Sequence, residues 1–409
     1  MVQSANVRFS WYSENAARRS RLHRGFIVNL FRVLFSALTG AFLSLIAVPA
    51  FAEDDTSVSI RFEKKIQLPT AETVGGPIAL TRIAWGGISN QIATAAFSGR
   101  NIYLIDVKAE SVNKFDSGLN GIIEPTLLWS HRKSLLIASR AASVRVFETS
   151  EAIPKPTLAI DNNLPRPLLA RGVALIEKSA EEWLILSGET NKKIDPTNPE
   201  VVAHLLSTGK RMFEWKFPDD GANYRISQSS AALAEGHVVL AAWVQRVVSP
   251  KTSGARPIST QEIWIINPER ERDSCKIPPT QGISEGASIT LEQPSISPDG
   301  RWLATADGAN EYVHIYKTKS CEEAAKLPLR GGPNPRFLTF SPNGRWLLGT
   351  SPMALGKREG RIYVWRTADW KLIYQGTQTF PYQAAFDKAS SHFAIATVDG
   401  VYIYRISER

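Results

Sequence analysis

The chain has 409 residues, a formal charge of +9 and only two cysteines. Two cysteines exclude a cysteine-built zinc or iron–sulfur centre, and without a Cys-x-x-Cys-His run there is no covalent c-type haem. Residues 1–52 hold six arginines against one glutamate, so residues 53–409 carry only about +4 of the charge, which is no nucleic-acid footprint.

Residues 1–52 have the order of an export signal. A basic stretch (Arg8, Arg18, Arg19, Arg21, Arg24, Arg32) is followed by an apolar run from Val33 to Val48 and by Ala50-Phe51-Ala52. Cleavage is expected after Ala52, giving an exported, periplasmic or secreted chain of residues 53–409 with no stable membrane span. The alternative is retention of the apolar run as an anchor. Arg18-Arg19 is a poor twin-arginine signal, because Ser20-Arg21-Leu22 lacks the apolar residues expected after it.

The exported part shows no helix-period segment. Ser57-Val58-Ser59-Ile60-Arg61-Phe62 reads as a lone strand. A repeated unit of strand, tight turn, strand, loop and strand follows. It is clearest at Ser295-Ile296-Ser297-Pro298-Asp299-Gly300-Arg301-Trp302 and at Thr339-Phe340-Ser341-Pro342-Asn343-Gly344-Arg345-Trp346. Proline presets the first corner of such a turn and glycine supplies its positive φ. Taking Phe340 as reference, the position recurs at Trp85, Trp129, Ile176, Ala232, Ile296, Phe340 and Phe386, mostly 44–47 residues apart. The units at Ile176 and Ala232 have the weakest turn signals. Seven units of this length predict one all-β domain, 53–409, folded as a seven-bladed β-propeller. The last unit, from Pro381 to Ile406, offers three strands, so the N-terminal strand is expected to complete it and close the ring.

The third strands end comparably, at Ile105-Asp106, Phe147-Glu148, Leu206-Ser207, Ile266-Asn267, Tyr316-Lys317, Trp365-Arg366 and Tyr404-Arg405. These endings resemble those of WD-repeat propellers, with Trp365 nearest the pattern. The aspartate is kept only at Asp106 and the Gly-His dipeptide is generally missing. The Ser-Pro-Asp-Gly-Arg turns are equally similar to those of the exported propeller of the Tol–Pal system. The resemblance spans residues 57–409 and implies a propeller architecture.

Function is less legible. The long loops between second and third strands carry Lys192, Lys193, Arg246, Lys251, Arg256, Lys357 and Arg358. Loops on a rigid scaffold are where binding concentrates. A non-catalytic scaffold whose basic loop face meets an acidic protein or cell-envelope partner is the leading expectation, against the plainer reading of a solvated face. The alternative is an enzyme with a site at the central axis, by analogy with propeller lactonases and quinone-dependent dehydrogenases. No cofactor and no catalytic residue is assigned. Gly282-Ile283-Ser284-Glu285-Gly286 matches a nucleophile motif but lies in a polar loop without the helix that motif requires. His131, His204, His237, His314 and His392 show no metal-ligand spacing, and no metal is predicted. The recurring tryptophans Trp85, Trp129, Trp183, Trp302, Trp346 and Trp365 are expected to pack between blades. Cys275 and Cys321 both fall near the start of a fourth strand in adjacent units. Equivalent outer strands lie beyond disulfide reach, so two free thiols are expected.

Overall fold

The computed structural model describes residues 58–68, 80–86, 90–96, 100–119, 125–130, 132–140, 143–150, 154–161, 169–189, 200–248, 258–269, 275–277, 294–306, 312–329, 333–352 and 359–408. All belong to one compact unit, Asp55–Arg409. The proposed signal segment and its cleavage site at Ala52 lie outside the described residues.

The chain opens with β1 (Val58–Ile66) and then builds blade after blade of antiparallel strands, each running outward from the axis. Blade 1 is β2 (Leu80–Trp85), β3 (Gln91–Ala96), β4 (Asn101–Asp106) and β5 (Ser111–Asp116). Blade 2 is β6 (Thr126–Trp129), β7 (Leu135–Arg140), β8 (Ser143–Glu148) and β9 (Lys155–Asp161). Blade 3 is β10 (Leu169–Lys178), β11 (Glu181–Glu189), β12 (Val201–Leu205) and β13 (Arg211–Trp215). Blade 4 is β14 (Asn223–Ala234), β15 (His237–Val248), β16 (Ile258–Ile266) and β17 (Cys275–Ile277). Blade 5 is β18 (Ser295–Ile296), β19 (Trp302–Ala306), β20 (Tyr312–Lys317) and β21 (Glu323–Pro328). Blade 6 is β22 (Phe337–Phe340), β23 (Trp346–Ser351), β24 (Glu359–Arg366) and β25 (Lys371–Thr379). Blade 7 is β26 (Ala384–Phe386), β27 (His392–Thr397) and β28 (Gly400–Glu408), with β1 as its fourth strand.

The reference positions read from the sequence all fall on innermost strands. Each pairs with the residue seven positions on: Trp85 with Ile92, Trp129 with Leu136, Ile176 with Trp183, Ala232 with Val239, Ile296 with Leu303, Phe340 with Leu347 and Phe386 with Phe393. The two weak units are therefore ordinary blades, with shorter turns. Ser179-Ala180 and Glu235-Gly236 reverse the chain through positive φ instead of a Ser-Pro-x-Gly corner. In blades 5 and 6 that corner is held by its own side chains. Ser297 and Ser341 each donate to the acidic or amide oxygen two residues on (2.6 and 2.8 Å) and each accept the backbone N–H of Trp302 or Trp346 at 3.0 Å.

Each innermost strand touches the next around the ring, including β26 against β2. An apolar core fills every junction between neighbouring blades. This explains why central strands such as β23, fully buried along its length, do not alternate with polar residues: both faces of a blade meet a neighbour. Burying each such side chain is worth about 1.5–3 kcal/mol, so the stability of the ring lies in its junctions. Closure follows the expected route. β1 pairs antiparallel with β28, Phe62 opposite Tyr404, with a register shift between Phe62 and Lys64.

One expectation is overturned. Cys275 and Cys321, 46 positions apart in the sequence, form a disulfide with Cα atoms 6.0 Å apart. The two are not equivalent. Cys275 opens the outer strand of blade 4, whereas Cys321 precedes the outer strand of blade 5, in the β20–β21 turn. There a left-handed backbone (φ 57°) and a hydrogen bond from its N–H to Lys317 O (2.9 Å) hold it. That turn leans back onto blade 4, where both cysteines pack against the core at the junction of blades 4 and 5.

Candidate functional site

Two regions are candidates for a functional site. The first is the loop face that the sequence singled out. Lys192, Lys193, Lys251, Arg256, Lys357 and Arg358 lie outside the described residues, as do Ser284 and His131. Arg246 is described, and it is engaged. Its guanidinium donates to Asp220 (2.8 Å from Nη2, 3.3 Å from Nε) and to the Tyr224 hydroxyl (3.2 Å). Burial works against the Asp220 carboxylate, but hydrogen bonds from Arg246, Tyr224 and the Ala222 N–H outweigh it and hold its pKa at about 2. Arg246 therefore ties β15 to the stretch leading into β14.

The strands beneath this face are unequal. β14, β15 and β16 run 12, 12 and 9 residues, where their equivalents in blade 5 run 2, 5 and 6. Blades 3 and 4 are also linked by a single backbone pair, Glu189 at the end of β11 with Arg225 near the start of β14.

The second region is a cavity of about 280 Å³ at the axis, nearer the opposite face. It is lined by the ends of the inner strands of blades 1, 2, 6 and 7, by Leu175 of blade 3, and by the turn residues Pro342 and Lys388. Four of the seven reference positions contribute: Trp85, Trp129, Phe340 and Phe386. Away from the turns, Gln383 accepts the Ile83 N–H at 3.2 Å. The Arg82 guanidinium of blade 1 lies 5.2 Å from the ring centre of Phe337 in blade 6. Trp129 is 5% exposed, and its indole Nε1 has no hydrogen-bond partner among the described residues.

Trp346 and Trp365 are buried packing residues, as expected, while Trp85 and Trp129 pack and also wall the cavity. The described histidines are spread around the ring. His204 is buried against Gly209 O (3.0 Å), His237 lies 3.5 Å from Glu269, His314 2.5 Å from Glu323, and His392 between Asp387 (3.2 Å) and Glu63 (3.4 Å). Among the described residues no three His, Cys, Asp or Glu side chains are grouped to hold a metal ion.

The sequence signal for the cavity was available. The reference position is aromatic in blades 6, 7, 1 and 2, which are consecutive in the closed ring, and aliphatic in blades 3, 4 and 5. The fold and the cavity together define a seven-bladed β-propeller with an axial chamber walled by four aromatic side chains. No protein-family model matches the chain, and no curated protein matches it.

Proposed function

We propose that the protein is an exported, non-catalytic propeller scaffold of the WD-like or Tol–Pal-like kind, which binds a protein or cell-envelope partner through the face where second strands turn into third strands. The observation that carries this reading is the unequal height of the blades. Blade 4 raises three long strands at that end and is linked to blade 3 there by the pair Glu189 and Arg225. A rigid, uneven platform of this kind suits recognition of a macromolecule. Rigidity has a local cause. Lys178 of blade 3 bonds Glu269 of blade 4, Ser130 of blade 2 donates to the buried Glu182 of blade 3 (2.7 Å), and Asn343 N–H of blade 6 donates to Ser390 of blade 7 (3.1 Å).

Lys192, Lys193, Lys251, Arg256, Lys357 and Arg358 supply the basic character of the face and favour an acidic partner. Arg246, already bonded to Asp220, is not part of this patch. The disulfide supports residence in an oxidising compartment, in line with the export signal read in residues 1–52. Crosslinking in the native envelope, followed by capture of wild type and of a Lys251→Glu, Arg256→Glu, Lys357→Glu variant, tests the reading. The variant is expected to keep its thermal midpoint and lose the captured partner. Equal capture by both overturns it.

A further inference from the structure

The inner edges of the blades carry an inference that does not depend on the loop face. We propose that the axial cavity binds a small neutral ring compound of the lactam class, whose carbonyl accepts from the Gln383 side-chain amide and whose N–H donates to a main-chain carbonyl of the inner strands.

Each inner strand has a hydrogen-bonded neighbour on one side only. The residue after each reference position on the lining bonds into its own blade: Gly86 N–H to Gln91 O (2.7 Å), Ser130 to Leu135 (2.9 Å), Ser341 to Trp346 (2.9 Å) and Asp387 to His392 (3.0 Å). Bonding direction alternates along an antiparallel strand. Trp85, Trp129, Phe340 and Phe386 therefore turn their main-chain N–H and C=O away from the second strand, toward the axis. Ile83 shows that direction, because its N–H leaves blade 1 and donates to Gln383 Oε1 at the entry to blade 7 (3.2 Å). Strand edges of this kind set donors and acceptors side by side, and a hydrocarbon satisfies neither.

Gln383 adds a side-chain donor to these edges. The bond from Ile83 fixes which end of its amide is the oxygen. Its Nε2 has no hydrogen-bond partner among the described residues and is not sealed off from the lining. Charge and size narrow the ligand further. Lys388 is the one charged side chain of the lining; it is exposed, lies at the turn end and has an interaction of its own. A carboxylate set against Gln383 would exchange its hydration for a neutral amide, which favours an uncharged carbonyl. The volume of about 280 Å³, near the lower edge of the range for ligand sites, suits one or two fused rings, and Ala84, Leu128, Leu175 and Ala385 offer them apolar contact.

The test is a titration of the ¹⁵N-labelled full chain with isoquinolin-1-one, its N-methyl derivative and naphthalene, which share one outline. The lactam is expected to move the Gln383 side-chain amide resonances, assigned by their loss in Gln383→Glu, and to bind about tenfold more tightly than naphthalene, the worth of about one net hydrogen bond. The N-methyl derivative, which keeps the carbonyl and lacks the N–H, is expected to fall between them. Gln383→Glu keeps an oxygen for the Ile83 N–H and removes the donor, so in that variant the lactam loses its advantage over naphthalene. Lactam binding no tighter than that of naphthalene, unmoved Gln383 resonances, an advantage that survives in Gln383→Glu, or an N-methyl derivative as tight as its parent overturns the proposal. Should Gln383→Glu fail to fold by circular dichroism, the resonances are assigned through bonds and Leu175→Trp, which fills the chamber from blade 3, decides instead. Loss of the lactam-induced Gln383 shift in that variant upholds the site and its persistence removes it. Loss of the loop-face partner leaves every arm of this titration unchanged, so the two readings fail separately.

Discussion

His204 is 6% exposed on β12, and its two ring nitrogens are unequally served. Nδ1 lies 3.0 Å from Gly209 O, which makes it the N–H that donates, and Nε2 is buried without a partner. Protonation would place a second N–H where nothing accepts it, and burial lowers the His204 pKa below 6.5. A histidine depressed in the folded state contributes stability that is complete above its unfolded pKa and is lost as pH falls through the lower, folded value. The urea midpoint of the wild type is therefore expected to exceed that of His204→Gln by more at pH 7.5 than at pH 5. A gap that stays constant across that range counts against it. The sequence showed His204 alternating with apolar residues on a third strand, which indicated packing. It did not show which nitrogen is bonded, because Gly209 reaches the ring only through the β12–β13 turn.

The two Ser-Pro-x-Gly turns look interchangeable as sequence, and as elements they are not. Gly300 and Gly344 have the same φ of +71°. A side chain at Gly344 would meet only Pro298 Cδ at 3.9 Å, whereas one at Gly300 would meet the Leu233 carbonyl at 2.7 Å and Ala234 Cβ at 2.6 Å. Gly344→Ala therefore carries the left-handed backbone strain alone, about 1–2 kcal/mol. Gly300→Ala must also push blade 5 away from blade 4 and is expected to lower the urea-unfolding free energy by more, about 3 kcal/mol or above. Equal losses would show that blade 4 yields at no cost. Turn chemistry was readable because it is local: proline, glycine and a short polar side chain within five residues fix the corner. The packing of one turn on the next blade was not readable, because it depends on how far neighbouring blades lean together. The cysteines were misjudged for the same reason. Placing both on outer strands ignored the left-handed turn that swings Cys321 toward blade 4.

At the scale of the molecule, two links guard the ring: the β1–β28 pairing, which closes it, and the bridge between Cys275 and Cys321. Removing residues 58–66 exposes the outer edge of β28, and unpaired strand edges recruit other chains. Such a truncated protein is expected to elute as dimers or larger species in size-exclusion chromatography with light scattering; a stable monomer would show that blade 7 holds with three strands. The ring itself was legible because its period is written seven times and its surplus first strand matches a missing last one. The chamber was legible only as a run of aromatic reference positions whose adjacency becomes visible once the ends meet, since blades 6 and 7 precede blades 1 and 2 only in a circle.

That meeting of the ends also imposes an order on biogenesis. The first described strand, β1, finds its partner in the last described one, β28, Val58 opposite Glu408 and Ile66 opposite Val401. Loop closure over so long a tether is entropically slow. β1 therefore stays unpaired until β28 has been synthesised, and a ribosome that stalls before residue 400 leaves an open arc with a sticky edge.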